Sequence, residues 1–368
     1  MIPEYTVLRC ILILLVVYGH CTMMGYGLTG IWGGYSFDFG LRSVGDSSVV
    51  LLCAQFSQKF VYQFHMAAFI ALSGALFRHS LARGRYPSFG ALFKDKGLKL
   101  MVPYFVITLF YEFPIKYFTG YFNHISMHIR DATFWGLLML RGNNYLWYLE
   151  ALFLIFLFVY LLEKYVKVGY FAKFAIMLAV FLLRLVISIP LGKYFSLVYP
   201  AMENGLWFYL GFLFAPHRES CNAVILKHRL VPWMALVVLL GTTVLKMISE
   251  GPAQRIVLGT SVGQFLLLFS TLLGMYMVYA FALMLSQSAR VRTSRIVQTI
   301  SRDGLGIYIY SEPLNGLITF LAVSIFGVGL LAHTPSSLLL ILVRFFGTLL
   351  VPIGICWVLR KMHVKYLV

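Results

Sequence analysis

Arg9-Cys-Ile-Leu-Ile-Leu-Leu-Val-Val-Tyr-Gly-His20 sets an arginine and a histidine eleven positions apart along one apolar run. At about 1.5 Å of rise per residue a helix holds them roughly 16 Å apart along its axis, with Arg9 near a membrane surface and His20 well inside the hydrocarbon. An ionisable group at that depth is costly unless it faces a bundle interior or a water-filled cavity. Two readings of His20 follow: a functional imidazole, or one that only hydrogen-bonds to a neighbouring helix. The rest of the chain has to choose between them.

Of the 368 residues 60% are hydrophobic and only 12% are charged, and the mean hydropathy is +0.84. Too few polar residues remain to cover a water-soluble globule, so the chain reads as a polytopic membrane protein. The net charge of +17 does not point to nucleic acid, because the Lys and Arg residues sit in short clusters between apolar runs, the pattern that the positive-inside rule produces. The first run lacks a cleavage site of small residues and is followed by many like it, so it reads as a retained helix and not a signal peptide. Cys10, Cys21, Cys53, Cys221 and Cys356 are scattered, without Cys-x-x-Cys spacing. Neither a disulfide framework nor a metal site is indicated.

Ten spans can be drawn, at residues 7–28, 59–78, 100–120, 145–163, 172–190, 203–215, 231–249, 260–286, 303–326 and 337–360. All but one have about membrane length. With the N-terminus in the cytoplasm, twenty of the thirty basic residues fall inside, seven fall outside, and Arg184, Lys246 and Arg344 fall within spans. That asymmetry sets the orientation, with both termini cytoplasmic. The expected fold is an all-α, multi-pass helix bundle of about ten transmembrane helices, forming one domain over 1–368 in the cell (plasma or inner) membrane. No internal repeat stands out, and neither end reads as an appended soluble domain.

The outer segments carry aromatic, amide and acidic side chains, among them Trp32, Tyr35 and Asp38 in 29–58 and Asn123, His128, Trp135 and Asn144 in 121–144. Such groups grip sugar rings and hydroxyls, and they also build the aromatic belt of any membrane protein. Residues 47–58 and 133–141 are too short to span, so they read as re-entrant or surface segments. Within the spans four places are unusually polar. The second span runs Phe64-His65-Met-Ala-Ala-Phe-Ile-Ala-Leu-Ser73-Gly74, with a second buried imidazole and a Ser-Gly pair of the kind that serves close helix packing. After it comes the basic stretch Lys96-Gly-Leu-Lys99-Leu-Met-Val-Pro103-Tyr104, suited to topology, to anionic lipids or to the phosphates of a cytosolic ligand. The fourth span opens Asn143-Asn-Tyr-Leu-Trp147-Tyr-Leu-Glu150, a carboxylate that needs a partner. Span nine carries Ser301 to Asn315, including Tyr308, Glu312 and Pro313, a polar patch that suits a cavity wall better than a lipid face.

Taken in order, these stretches resemble the membrane acyltransferase 3 family, integral-membrane enzymes that O-acylate extracytoplasmic glycans and related molecules. Arg9 and His20 match the family's Arg, ten residues, His pattern in its first span. Phe64 to Gly74 is similar to its Phe-x-Met-Pro-x-Phe-Phe-x-x-Ser-Gly run, and Lys96 to Tyr104 is similar to the basic stretch before its Pro-Tyr. Asn144 to Leu149 and Gly306 to Asn315 resemble its Leu-Trp-Phe-Leu and Gly-Ile-Tyr-Leu segments. Three positions depart: Ala67 stands where the family has Pro, Lys96 and Lys99 where Arg is common, and Ser311 where many members have His. A lysine is a point charge where an arginine offers a planar fork, so phosphate recognition in that loop is less specific.

The resemblance implies transfer of an acyl group, acetyl or a longer one such as succinyl, from cytosolic acyl-CoA (acetyl-CoA) to a hydroxyl of an extracytoplasmic saccharide or glycolipid, with no metal. No catalytic role carries over from the family onto span nine, where Ser311 replaces the His. The reading of the residues themselves fits such a reaction: Arg9, Lys96, Lys99 and Ser73 are expected at the donor, His20 as general base with Glu150 as its orienting or charge-balancing partner, and His65, Trp147 and Tyr308 as acceptor or oxyanion contacts. The expected partners are acyl-CoA, the saccharide and membrane lipids. The competing class is a transporter or flippase, because buried His, Glu and Arg also build proton and substrate pathways. Coenzyme A binding to purified protein separates the two.

Overall fold

A computed structural model of the protein describes residues 2–22, 49–119, 145–191, 198–248, 261–327, 330 and 334–367. Among them the secondary structure is helical, with no strand. The expectations for residues 29–48 and 121–144, including the short segment 133–141, lie outside the described residues.

Among the described residues six helices are long and apolar enough to cross a membrane: Pro3–Cys21, Leu52–Ala82, Phe89–Phe118, Phe265–Ser286, Gly304–Phe326 and Pro335–Lys361. A seventh arises if Tyr199–Lys227 and Val231–Met247, bent by 85°, count as one broken span. The described parts of all ten expected spans are helical in whole or in large part. The fourth falls on a helix, Trp147–Tyr165, that carries Glu150, Glu163 and Lys164, three charged residues on one apolar run. Residues 49–58, expected as a re-entrant or surface segment, instead belong to a helix Val49–Tyr62 that leads directly into the next, His65–Ala82. The apolar run Val49-Val-Leu-Leu-Cys-Ala54 simply extends the second span backwards.

The chain divides into two compact units. The first comprises residues 1–68, 119–124 and 219–357. Its central helix is α1 (Pro3–Cys21), started by a proline in its first turn with Glu4 beside it, the residues that a helix N-terminus favours. Buried positions on α1 run from Tyr5 through Leu12, Ile13 and Val17 to Cys21 and leave no polar stripe, as expected of a helix enclosed by others. It packs against α2 (Val49–Tyr62), α12 (Ser261–Ser286), α13 (Ala289–Thr293), α14 (Arg295–Arg302) and α15 (Gly304–Phe326). Arg9 lies beside Gly304 and His20 beside Asn315, so α1 and α15 run in the same direction. Between α2 and α3 (His65–Ala82) the helix breaks at Gln63 and Phe64. The amides of Gln63 and Phe64 donate to the Phe60 and Val61 carbonyls of the turn before, while α11 (Val231–Ile248) and α12 hold the buried Gln63: its Nε2 donates to Thr243 (2.7 Å), Thr242 donates to its Oε1 (3.2 Å), and Thr271 donates to its carbonyl (2.9 Å). Irregular backbone at membrane depth requires such partners.

The second unit comprises residues 69–118, 125–218 and 358–368. Here the later turns of α3 meet α9 (Tyr199–Phe214) at two glycines. A Cβ on Gly74 would collide with the Phe208 carbonyl oxygen, and one on Gly211 with the Ala71 carbonyl. The Ser-Gly pair therefore serves close packing, as its residue types predict. Phe77, Phe156, Phe208 and Phe212 close the same interface edge to face or tilted, with centroids 5.0–6.3 Å apart. The run Phe89–Phe118 alternates α4 (Phe89–Lys96), a π-helical turn at Gly97–Met101, α5 (Val102–Ile107), a second π turn at Thr108–Glu112, and α6 (Phe113–Phe118). Pro103 contributes to the first irregularity, because it has no N–H to give to the preceding turn. Helices α7 (Trp147–Tyr165) and α8 (Tyr170–Leu191) pack against α9.

Candidate active site

The expected site residues fall into both units. Arg9, His20, His65 and Tyr308 belong to the first; Ser73, Lys96, Lys99, Trp147 and Glu150 belong to the second.

In the first unit His20 sits in the last turn of α1 and is partly exposed. Its Nδ1 is buried and has no hydrogen-bond partner among the described residues. The Tyr62 ring stands edge-on to it, with centroids 6.5 Å apart at 73°. The same tyrosine lies 4.8 Å from the His65 ring, so Tyr62 links the two imidazoles that the sequence placed in separate spans. Gly19 makes this possible, since a Cβ there would lie 2.8 Å from Tyr62 Cε2. His65 is buried and its Nδ1 is 2.9 Å from the Val61 carbonyl. A carbonyl only accepts, so Nδ1 carries the proton of this bond. His65 thus has a structural bond on one nitrogen, whereas Nδ1 of His20 is held by nothing described.

The main chain of His20 is held firmly. Its carbonyl oxygen accepts from Asn315 Nδ2 (3.0 Å) and from Arg344 Nη2 (3.1 Å), while Arg344 Nε donates to Asn315 Oδ1 (2.6 Å). Tyr308 is buried on α15, and its carbonyl accepts from Ser311. Glu312 is also buried there, with Oε1 lacking a hydrogen-bond partner among the described residues.

In the second unit Glu150 is buried in the first turn of α7 and shares a hydrogen bond with Tyr104. Its Oε1 has no partner among the described residues. The partner that the carboxylate was expected to need is therefore a phenol of α5. Ser73 donates to the Phe69 carbonyl (3.1 Å) and lies 3.3 Å from the Tyr148 hydroxyl, next to Trp147. The basic stretch is more committed than its composition implies. Lys96 points its ammonium at the Phe156 ring, 3.8 Å from the centroid, a cation–π contact. Lys99 pairs with Asp95 at 2.6 Å, and Asp95 also accepts from the Tyr86 hydroxyl (2.8 Å). Burial and that bond to Asp95 hold the Tyr86 phenol well above its usual range, so it stays a donor. A cavity of about 430 Å³ opens beside these groups, lined among others by Arg78, Tyr86, Tyr160, Glu163 and Lys164.

Sequence reasoning missed Tyr62, which has no distinguishing neighbour and is one of 23 tyrosines. It noticed Asn315 and Arg344 only as polar residues at membrane depth; a lone arginine inside Leu339-Leu-Ile-Leu-Val-Arg344-Phe-Phe was the available signal. No cluster of three or more His, Cys, Asp or Glu able to hold a metal occurs among the described residues.

The family model described as an acyltransferase domain, that of the acyltransferase 3 family, matches residues 2–361. No curated protein and no solved structure matches the chain. Because the match runs over nearly the whole sequence, from before Arg9 to past Arg344, the chain belongs to the acyltransferase 3 family of membrane acyltransferases.

Proposed function

We propose that the 368 residues form one acyl-CoA-dependent O-acyltransferase of the cell membrane, moving an acetyl or other acyl group from the cytosol to a hydroxyl of an extracytoplasmic or lipid-linked saccharide. Ten membrane passes with both termini in the cytoplasm accompany this reading, supported by the basic-residue asymmetry. The single observation that carries the chemistry is the state of His20, a ring nitrogen without a hydrogen bond among the described residues, on a residue whose backbone is tied in place.

His20 accepts the proton of the acceptor hydroxyl. The oxygen attacks the thioester carbonyl, a C–O bond forms, and the C–S bond breaks. The leaving thiolate takes back the proton, so the imidazole returns to its starting form. Direct transfer needs no covalent enzyme intermediate. Within the first unit His65 and Tyr308 supply polar contacts to the acceptor or the developing oxyanion; within the second, Trp147 contacts the acceptor and Ser73 the donor. Glu150 assists as a buried carboxyl held by Tyr104. Arg9 gives the donor phosphates a charge-assisted contact. In the second unit Lys99 offers its own phosphate contact by releasing Asp95, since a surface ion pair of this kind is worth only about 0–1 kcal/mol. Lys96 contributes its field from its place over Phe156. The cavity beside Tyr86 and Lys164 has the volume for part of a nucleotide head group.

The test is transfer of radiolabelled acetyl from acetyl-CoA to envelope saccharides in membranes containing the full chain. Label entering the saccharide fraction supports the reading. Purified protein that binds no coenzyme A, with saccharide label unchanged on its deletion, refutes it.

A further inference from the structure

In enzymes that use an imidazole as base, the ring is commonly oriented by a partner on its second nitrogen. In this chain Nδ1 of His20 has no such partner among the described residues, yet a base must be held to well under 1 Å to be effective. The hydrogen bonds around α1 provide a route by which the ring is positioned through its main chain.

We propose that Arg344 and Asn315 are positioning residues for His20, which act through its main chain by capping the C-terminal end of α1 and so leave the imidazole free for proton transfer. The proposal rests on the reading of His20 as base. The last carbonyls of a helix have no intrahelical donor, and they favour a cation. Here α1 ends at Cys21, one residue past His20. The His20 carbonyl receives two donors from helices distant in sequence: Asn315 of α15, and Arg344 of α16 (Thr334–Lys361). The third bond, Arg344 Nε to Asn315 Oδ1, fixes which way the amide points, because the oxygen must face the guanidinium and the nitrogen the carbonyl. Next in the chain, Cys21 Sγ lies 3.5 Å from Thr348 Oγ1, which itself donates to the Arg344 carbonyl at 2.6 Å. Residues 20 and 21 are thus both tied to α16, and Tyr62 packs over Gly19.

The choice of an arginine supports this role. Arg344 is 0% exposed, and a guanidinium at membrane depth costs on the order of 2.5–3.5 kcal/mol or more. Its planar fork reaches two acceptors in fixed geometry, which the single ammonium of a lysine does not do. Two of its contacts, those of Nε and Nη2, converge on the amide of Asn315 and on the backbone oxygen that the same amide binds.

The experiment compares Arg344→Lys and Asn315→Asp with the parent chain, each alone and combined with His20→Ala. Radiolabelled acetyl-CoA is the donor, with envelope membranes as acceptor. Asn315→Asp keeps the volume and leaves Arg344 an acceptor, but removes the N–H that binds the His20 carbonyl, so it carries the test if Arg344→Lys is not recovered. Both variants are expected to lower kcat by about tenfold or more, with the KM for acetyl-CoA within about twofold of the parent, as displacement of a base predicts. In the His20→Ala background neither should lower the residual rate further, since a residue acting through His20 has nothing left to act on. A purely structural pair would lower recovery and donor binding along with kcat and would multiply the loss in the double variant, and that result overturns the proposal. Full kcat in both variants while His20→Ala is impaired overturns the capping role alone; parental transfer by His20→Ala overturns the base reading and this proposal together.

Discussion

Gly211→Ala tests one of the two glycine contacts between α3 and α9 in the second unit. The added methyl carbon would collide with the Ala71 carbonyl oxygen and lie 2.5 Å from the Ala71 carbonyl carbon and 2.8 Å from its Cα. Carbon atoms pack at about 3.5–4.0 Å, so α3 and α9 must separate by roughly 1 Å, because backbone atoms have no rotamer to escape into. Separation also loosens Phe208 and Phe212 from Phe77, and overpacking of this kind costs about 1–3 kcal/mol. Replacing a helical glycine by alanine returns up to about 1 kcal/mol, so with a rigid backbone collision at the top of the overpacking range the net loss is about 2 kcal/mol, or roughly 4–8 °C in midpoint for a unit of about 150–250 residues. Gly354→Ala on α16 is the control, since nothing lies within 4 Å of its Cβ position; only the propensity gain applies there. The assay heats detergent-extracted protein and measures the monodisperse fraction. A Gly211→Ala variant as stable as its parent, or a Gly354→Ala variant equally impaired, would refute the reasoning.

Arg9→Ala should weaken coenzyme A binding far more than it changes recovery, and Arg9→Lys should lose part of that affinity as a point charge replaces the fork; isothermal titration of purified protein measures both. A reporter fused after Val368 should be cytoplasmic and one inserted near Gly34 or Asn123 extracytoplasmic, because twenty basic residues against seven set the orientation. Opposite reporter signals would remove the phosphate-binding reading of the basic loops.

The helical architecture was legible because apolar run length and charge clustering follow directly from the solvent. Span limits were less so. Residues 49–58 read as a surface segment when taken alone, yet they continue the second span, and the break that separates them from α3 depends on Thr242, Thr243 and Thr271, distant in sequence. Of the site residues, His20 and Glu150 were visible as ionisable groups in apolar runs. Their partners were not, since Tyr62, Tyr104 and Asn315 are recruited by helix packing and carry no local periodicity. Lys99 shows the converse. Its charge was legible, whereas its pairing four residues back with Asp95, and the link from Asp95 to Tyr86, belong to the folded chain.

The central claim is that His20 is the base, and His20→Ala measures it most directly. The variant should insert, remain monodisperse in detergent and bind coenzyme A like the parent, while acetyl transfer from saturating acetyl-CoA falls by roughly 10²-fold or more, the scale of a lost general base. Near-parental transfer by His20→Ala, or loss of donor binding and stability together with activity, would contradict the account.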